Sequence, residues 1–192
     1  LYTLAKNDPA RRAAQTVMWE CLVRIVRLSS PIISFTADEA WAEMIRGLKA
    51  QGSKLELPDT VFLFDLPEVP ERWRDERLLP RWDLFQTIRE KILKGLEEAR
   101  AAKTIGSSLS ARVVYSPHSE EERRLLADLG AETSAELLIV SSFELGRSSG
   151  AAVVVEKAPG AKCPRCWRVR SDLGQSAKDP ALCARCARQL AD

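Results

Sequence analysis

Two Cys-x2-Cys pairs, Cys163/Cys166 and Cys183/Cys186, stand sixteen residues apart near the C-terminus. This pattern restricts the fold more than any other in the chain. A two-residue gap lets both sulfurs of a pair reach one metal, with backbone amides of the knuckle donating to them. Two such knuckles can close a tetrahedron of four thiolates around a single zinc ion. Two disulfides, or four reduced cysteines without metal, satisfy the same spacing, but paired knuckles at this distance favour zinc. Four thiolates leave no open coordination position, so the expected zinc is structural and activates no water.

Charge points the same way. The chain of 192 residues carries a net charge of only +2, so no global basic field announces nucleic acid. From Lys157 to Asp192, however, eight Lys and Arg residues stand against three Asp. A local basic patch of this kind is what an RNA or DNA partner needs; a merely solvated tail is the plainer alternative. Cys21 is the fifth cysteine. An odd count with metal-type spacing and no signal peptide fits a reducing cytoplasm. No apolar run approaches the roughly 18–20 residues of a spanning helix. The chain opens on Leu1, so it is expected to be a fragment or excised domain, without any activity housed upstream.

Upstream of the knuckles, hydrophobic periodicity predicts helices. Asp8-Pro9 is a helix start, and Ala14, Val17, Met18, Cys21, Leu22, Ile25 and Leu28 recur at three- and four-residue steps as one apolar face. Cys21 is thus expected to be a buried core residue. Pro31 ends this helix. Thr36 to Glu39 reads as a capping box opening a helix that turns Ala40, Trp41, Met44, Ile45 and Leu48 inward. The stretch 54–72, with prolines at 58, 67 and 70, reads as an extended linker, with residues 61–64 laid against the helices. A third helix is predicted from about Pro80 to Lys103, with Trp82, Phe85, Ile88, Ile92, Leu96 and Ala99 as its stripe. Gly95 within it marks a close approach of another backbone.

After Ser107 the texture changes. Residues 111–115, 137–141 and 152–156 are β-branched runs that read as strands, and Ser119 to Glu122 is a second capping box for a short helix stopping at Gly130. The expected fold is therefore mainly α with a smaller α+β part: an antiparallel helical bundle over 1–106, a small α+β domain over 107–158, and a four-cysteine zinc-binding module over 159–192.

Little in this chain looks catalytic. His118 is the single histidine and reads as an exposed turn residue, since nothing in the sequence supplies an orienting partner. The carboxylates follow helix-face spacing, and no phosphate-cradling Gly-rich loop is present. Trp167 stands out instead. It follows Cys166 directly, so the metal would fix its backbone, and Lys162, Arg165, Arg168 and Arg170 surround it. An aromatic plane among cations is how proteins hold unstacked RNA bases; covering the zinc site is the competing role for the same ring.

Three blocks together resemble the C-terminal part of the bacterial isoleucyl-tRNA synthetases. RRAAQTVMWECLVRIVRLSSPIISFTADEAW (11–41) is similar to the anticodon-binding helical domain shared by the class I enzymes for branched aliphatic amino acids. LEEARAAKTIGSSLSARV (96–113) resembles the segment ending that bundle in the isoleucine enzymes, and AKCPRCW with LCARC (161–186) resembles their C-terminal zinc peptide. LIVSSFEL (138–145), read as a strand, completes the match. Ser110 departs from the family, where an acidic residue is expected. The resemblance implies a parent ligase that joins isoleucine to its tRNA through an adenylate made from ATP, with catalytic and editing domains upstream. The present chain would then be inactive alone and would grip the anticodon stem and loop of isoleucine-accepting tRNA as part of a monomeric, cytoplasmic protein. It implies Cys163, Cys166, Cys183 and Cys186 as ligands of one zinc and Trp167 as a base-stacking residue. Lys162, Arg165, Arg168 and Arg170 follow from the chemistry as RNA contacts. The alternatives are the zinc-finger tail of a DNA-repair glycosylase, whose helix-two-turn-helix and N-terminal proline are not visible here, and a structural zinc module for protein contact.

Overall fold

A computed structural model describes residues 1–147 and 152–191. It divides into two compact units, Leu1–Arg74 and Asp75–Asp192.

In the first unit, α1 (Pro9–Ser29) begins where the sequence placed it: the Asp8 carboxylate accepts from the amide of Ala10 at 2.8 Å. A turn at 30–33, in which the Ser29 carbonyl accepts from both Ile32 and Ile33, leads into α2 (Ser34–Ala50). That turn closes early enough for α2 to start before Thr36, which lies inside the first turn, so the expected Thr36/Glu39 capping box does not form. Val26, Ala37, Trp41, Ile45 and Val61 form the core. The proline-containing segment is tied down as expected. Trp41 Nε1 donates to the Pro58 carbonyl at 2.9 Å, and one Asp38 oxygen accepts from the Thr60 hydroxyl and the Val61 amide. Phe64 meets Trp41 edge-on, with ring centroids 4.9 Å apart.

The predicted apolar face of α1 is where the structure departs most. Val17, Met18, Cys21, Leu22, Ile25 and Leu28 are exposed, and Val26 is the buried residue instead. Within this unit α1 packs on α2 and the residues around Val61, which cover a different side of the helix. Cys21 is therefore a surface thiol.

The second unit opens with α3 (Leu78–Ala101), whose stripe of Phe85, Ile88, Ile92 and Leu96 is fully buried. Within its own unit α3 packs on a sheet and a helix. The boundary between units at Arg74/Asp75 accordingly lies upstream of the change of texture near residue 107. The sheet has the order β2-β1-β3: β1 (Ala111–Ser116) pairs in parallel with β2 (Ser142–Leu145) and antiparallel with β3 (Ala152–Lys157). A parallel pair needs a crossover, and α4 (Glu120–Leu138) supplies it. Gly95 lies where β3 comes close: a methyl group added there would stand 2.8 Å from Val153 Cγ1. The close approach anticipated at Gly95 is real, but it is made by side chains of β3.

Glu122 ties three of these elements together. It is buried, and its carboxylate accepts from Lys91 Nζ on α3 at 2.8 Å, from the Tyr115 hydroxyl on β1 at 2.7 Å and from the His118 amide at 2.8 Å. The Ser119 hydroxyl caps the helix as expected, whereas Glu122 completes the box one residue further back, at His118. The His118 side chain itself is exposed.

The strands read over 137–141 and 138–145 need correction. Gly130, at φ +75°, ends the first helical segment of α4 as expected, but a second segment follows it and runs on to Leu138. Ile139 then turns left-handed at φ 58°, and the strand starts only at Ser142. Ser134, Ala135 and Leu138 are buried on one side of this second segment, a helical spacing that outweighs the β-branched run.

Candidate metal and nucleic-acid site

The zinc module is built on a short antiparallel hairpin of β4 (Ala161–Lys162) and β5 (Val169–Arg170). Gly160 leads into it at φ +107°, and a Cβ there would lie 2.2 Å from the Arg170 carbonyl oxygen, so no other residue fits without moving the backbone. The hairpin carries Cys163 and Cys166 in its connecting turn. Cys183 immediately precedes α5 (Ala184–Ala191), and Cys186 lies in the first turn of that helix.

The four cysteines converge. Their sulfurs all lie within 4.8 Å of one another, and three of the four residues are buried. Cys166 Sγ and Cys183 Sγ are 3.8 Å apart. A regular tetrahedron with Zn–S bonds of about 2.3 Å has an edge of about 3.8 Å, so the spacing suits zinc and is far too long for a disulfide. Burial pushes the thiols of Cys166 and Cys186 up. At Cys163 burial is outweighed by amides of Cys183, Cys166 and Arg165, which hold the thiol down to about 6. Soft donors in a closed, amide-lined pocket are the ligand set of one structural zinc.

Trp167 follows the first knuckle in an unusual state. Its amide donates to the Cys163 carbonyl at 2.9 Å, closing the turn, and its φ is 63°. Left-handed backbone is uncommon for any non-glycine residue and rarer for a bulky one. The ring gains no compensating burial, since Trp167 is 60% exposed. Lys162 Nζ lies 5.5 Å from the ring centroid, within cation–π range. The knuckle therefore presents an aromatic plane and an ammonium to solvent side by side.

The other cations singled out in the sequence are placed differently. Arg165 is half-buried, and its Nη1 is 3.5 Å from the Cys186 carbonyl oxygen. Arg168, expected at the RNA surface, is 6% exposed; its guanidinium donates to the Ser141 carbonyl and to Glu132. Arg170 donates to Glu132 at 3.2 Å and lies 3.7 Å from Asp172. Side chains alternate across the hairpin, but the residues on the far side of the alternation belong to α4, which no local pattern could reveal. The acidic pair Glu132 and Glu136 was missed for that reason. At i and i+4 on a helix it reads as ordinary solvated surface. Although burial works against it, Arg168 and Arg170 hold the Glu132 carboxyl below the usual carboxylate range.

Comparison with known proteins adds two family matches: the anticodon-binding domain of tRNA ligase over residues 1–115, and a zinc finger found in FPG and IleRS over residues 160–189. Among curated relatives, the isoleucine–tRNA ligase of Geobacillus thermodenitrificans is 42% identical over 199 residues, covering 97% of this chain and 21% of the relative. That of Exiguobacterium sibiricum is 38% identical over 192 residues, covering 97% of this chain and 20% of the relative. The chain thus spans about a fifth of the length of these relatives.

Proposed function

The chain belongs to the family of anticodon-binding domains of tRNA ligases, and on that premise we propose that it is the C-terminal part of an isoleucine–tRNA ligase, gripping the anticodon stem and loop of isoleucine-accepting tRNA. The helical part, residues 1–106, lies along the RNA backbone, and the zinc module, residues 159–192, reaches the anticodon bases. The observation that carries this reading is Trp167: an exposed ring on left-handed backbone, held by a metal knuckle, with Lys162 beside it. Backbone strain of this kind persists where surrounding structure imposes it, and it clusters at functional sites. An unstacked base lies on the free face of the ring while Lys162, with Arg165 nearby, offsets backbone charge. Arg168 and Arg170 are not among the base contacts, because Glu132 holds both.

Zinc does no chemistry in this reading. Four thiolates fill its coordination, so it fixes the knuckle geometry from which Trp167 projects. Activation of isoleucine with ATP, transfer to tRNA and editing belong to the remainder of a polypeptide of the relatives' length, and that whole protein acts as a monomer in the cytoplasm. No helix among the described residues is long and apolar enough to cross a membrane.

Filter binding of the zinc-loaded chain to isoleucine-accepting tRNA and to duplex DNA, across a salt series, tests the proposal. Selective tRNA binding supports it. Preference for duplex DNA favours a glycosylase-type zinc finger, and binding to neither leaves a module for protein contact. Both of the latter outcomes refute the reading.

A further inference from the structure

The cations of the zinc module divide by what they face. Arg168 Nη1 donates to one oxygen of Glu132 at 2.6 Å, while its Nε and Nη2 reach the Ser141 carbonyl at 3.3 and 2.9 Å. Arg170 Nη1 takes the other oxygen of Glu132 at 3.2 Å. One helical turn along α4, Glu136 is 2.7 Å from Arg185 Nη2. Ser141, fully buried, accepts from the Val169 amide at 2.6 Å and donates to the Leu109 carbonyl.

These contacts leave the module from two places. Arg168 and Arg170 follow the second metal ligand, and Arg185 lies between the third and fourth. Both sets land on the segment of α4 beyond the Gly130 break. A single contact would leave the module free to swivel; two on either side of the metal cluster do not. A guanidinium is costly to bury unless its donors are matched, and all three nitrogens of Arg168 have acceptors.

We propose that the Glu132/Glu136 face of α4 is a docking clamp that sets the orientation of the zinc module, and with it the plane of Trp167, on the α/β unit. Glu132, Glu136, Arg168, Arg170 and Arg185 are positioning residues: they touch no RNA and hold no metal. The proposal rests on the reading of Trp167 as the RNA-facing residue, and its test separates the two.

The test compares the zinc-loaded chain with Glu132→Gln/Glu136→Gln, with the reversed pair Glu136→Arg/Arg185→Glu, and with Lys162→Gln. The clamp variant is expected to retain one zinc and to lose tRNA affinity on the order of tenfold, within the usual range for coupling between sites. Its salt dependence stays unchanged, because no phosphate contact is lost. Lys162→Gln lowers the slope of log K against log salt by about 0.7, the value of one single-strand phosphate contact. The reversed pair, which exchanges the charges of the 136–185 contact and leaves Glu132 in place, keeps most of the wild-type affinity. An RNA-independent readout is amide exchange: Val169 accelerates in the clamp variant, while Trp167, bonded within the knuckle, stays protected. Unchanged Val169 exchange, unchanged affinity with zinc retained, or loss of zinc would each overturn the clamp. A wild-type chain that ignores tRNA counts against the reading of Trp167 instead, and the exchange measurement still judges the clamp.

Discussion

Replacing Trp167 by alanine and by glycine separates a ring that serves RNA from a ring that serves the fold. The left-handed φ of 63° at this position costs an L-residue about 1–2 kcal/mol. Alanine keeps that cost, and glycine removes it while giving back about 0.5–1 kcal/mol through the freedom of its unfolded chain. Trp167→Gly should therefore be more stable than Trp167→Ala by roughly 0.5–1 kcal/mol. With the ring 60% exposed, little packing is lost in either. Binding tells the opposite story. Both variants lose the stacking platform, about 1–3 kcal/mol per base, or roughly 5- to 150-fold in affinity. The assays are thermal unfolding and zinc content of the loaded variants, alongside tRNA titration at fixed salt. If glycine is no more stable than alanine and both shed zinc, the ring is part of the metal site. If both bind tRNA like the parent, no base stacks there, and the reasoning fails in either case.

Three further outcomes follow from the geometry. Gly95→Ala, with its methyl group 2.8 Å from Val153 Cγ1, should overpack the α3–β3 contact and cost about 1–3 kcal/mol in urea unfolding; no loss would mean that β3 yields freely. Gly160→Ala should break the hairpin that carries the first knuckle and weaken zinc retention against a competing chelator, an effect its φ of +107° and the Arg170 carbonyl at 2.2 Å impose together. Glu122→Ala should cost about 2–3 kcal/mol, below the 3–5 of a fully buried pair because Lys91 keeps access to water. Although burial acts in the other direction, its donors lower the folded pKa from the ordinary 4.5, so its stabilisation is present above that value. It is lost as the pH falls through the folded pKa; stability against pH in wild type and Glu122→Ala should converge in acid.

Local patterns in the sequence carried some of this architecture and could not carry the rest. Asp8-Pro9, the Phe85, Ile88, Ile92 and Leu96 stripe of α3 and the four cysteines were legible because each depends on neighbours within a turn or on a spacing that favours one chemistry over the others. The face of α1 was not. Periodicity says that Met18, Leu22 and Ile25 lie together, but whether anything in the chain covers them is a long-range fact. Leu137–Ser141 failed for a related reason. Its β-branched run competes with Ser134, Ala135 and Leu138, whose burial on one helical side is decided by the sheet beneath them. Arg168 illustrates the limit at the site: its charge was visible, but the carboxylate opposite it lies 36 positions away in sequence.

That limit changes what a basic segment means. Eight cations between Lys157 and Asp192 look like one RNA-facing field, yet Arg168, Arg170 and Arg185 face acceptors on α4 and neutralise carboxylates there. The field that reaches solvent is weaker than the count implies, so affinity has to come from geometry as well as charge. A stacking ring answers that need only if its plane is fixed, because a swivelling platform gives back in ordering entropy what it gains in contact. The zinc fixes the backbone of Trp167 relative to the knuckle, and the clamp fixes the knuckle relative to the sheet. On the proposed function, the cations that face α4 contribute to recognition by holding still Trp167, the aromatic that the zinc module exposes.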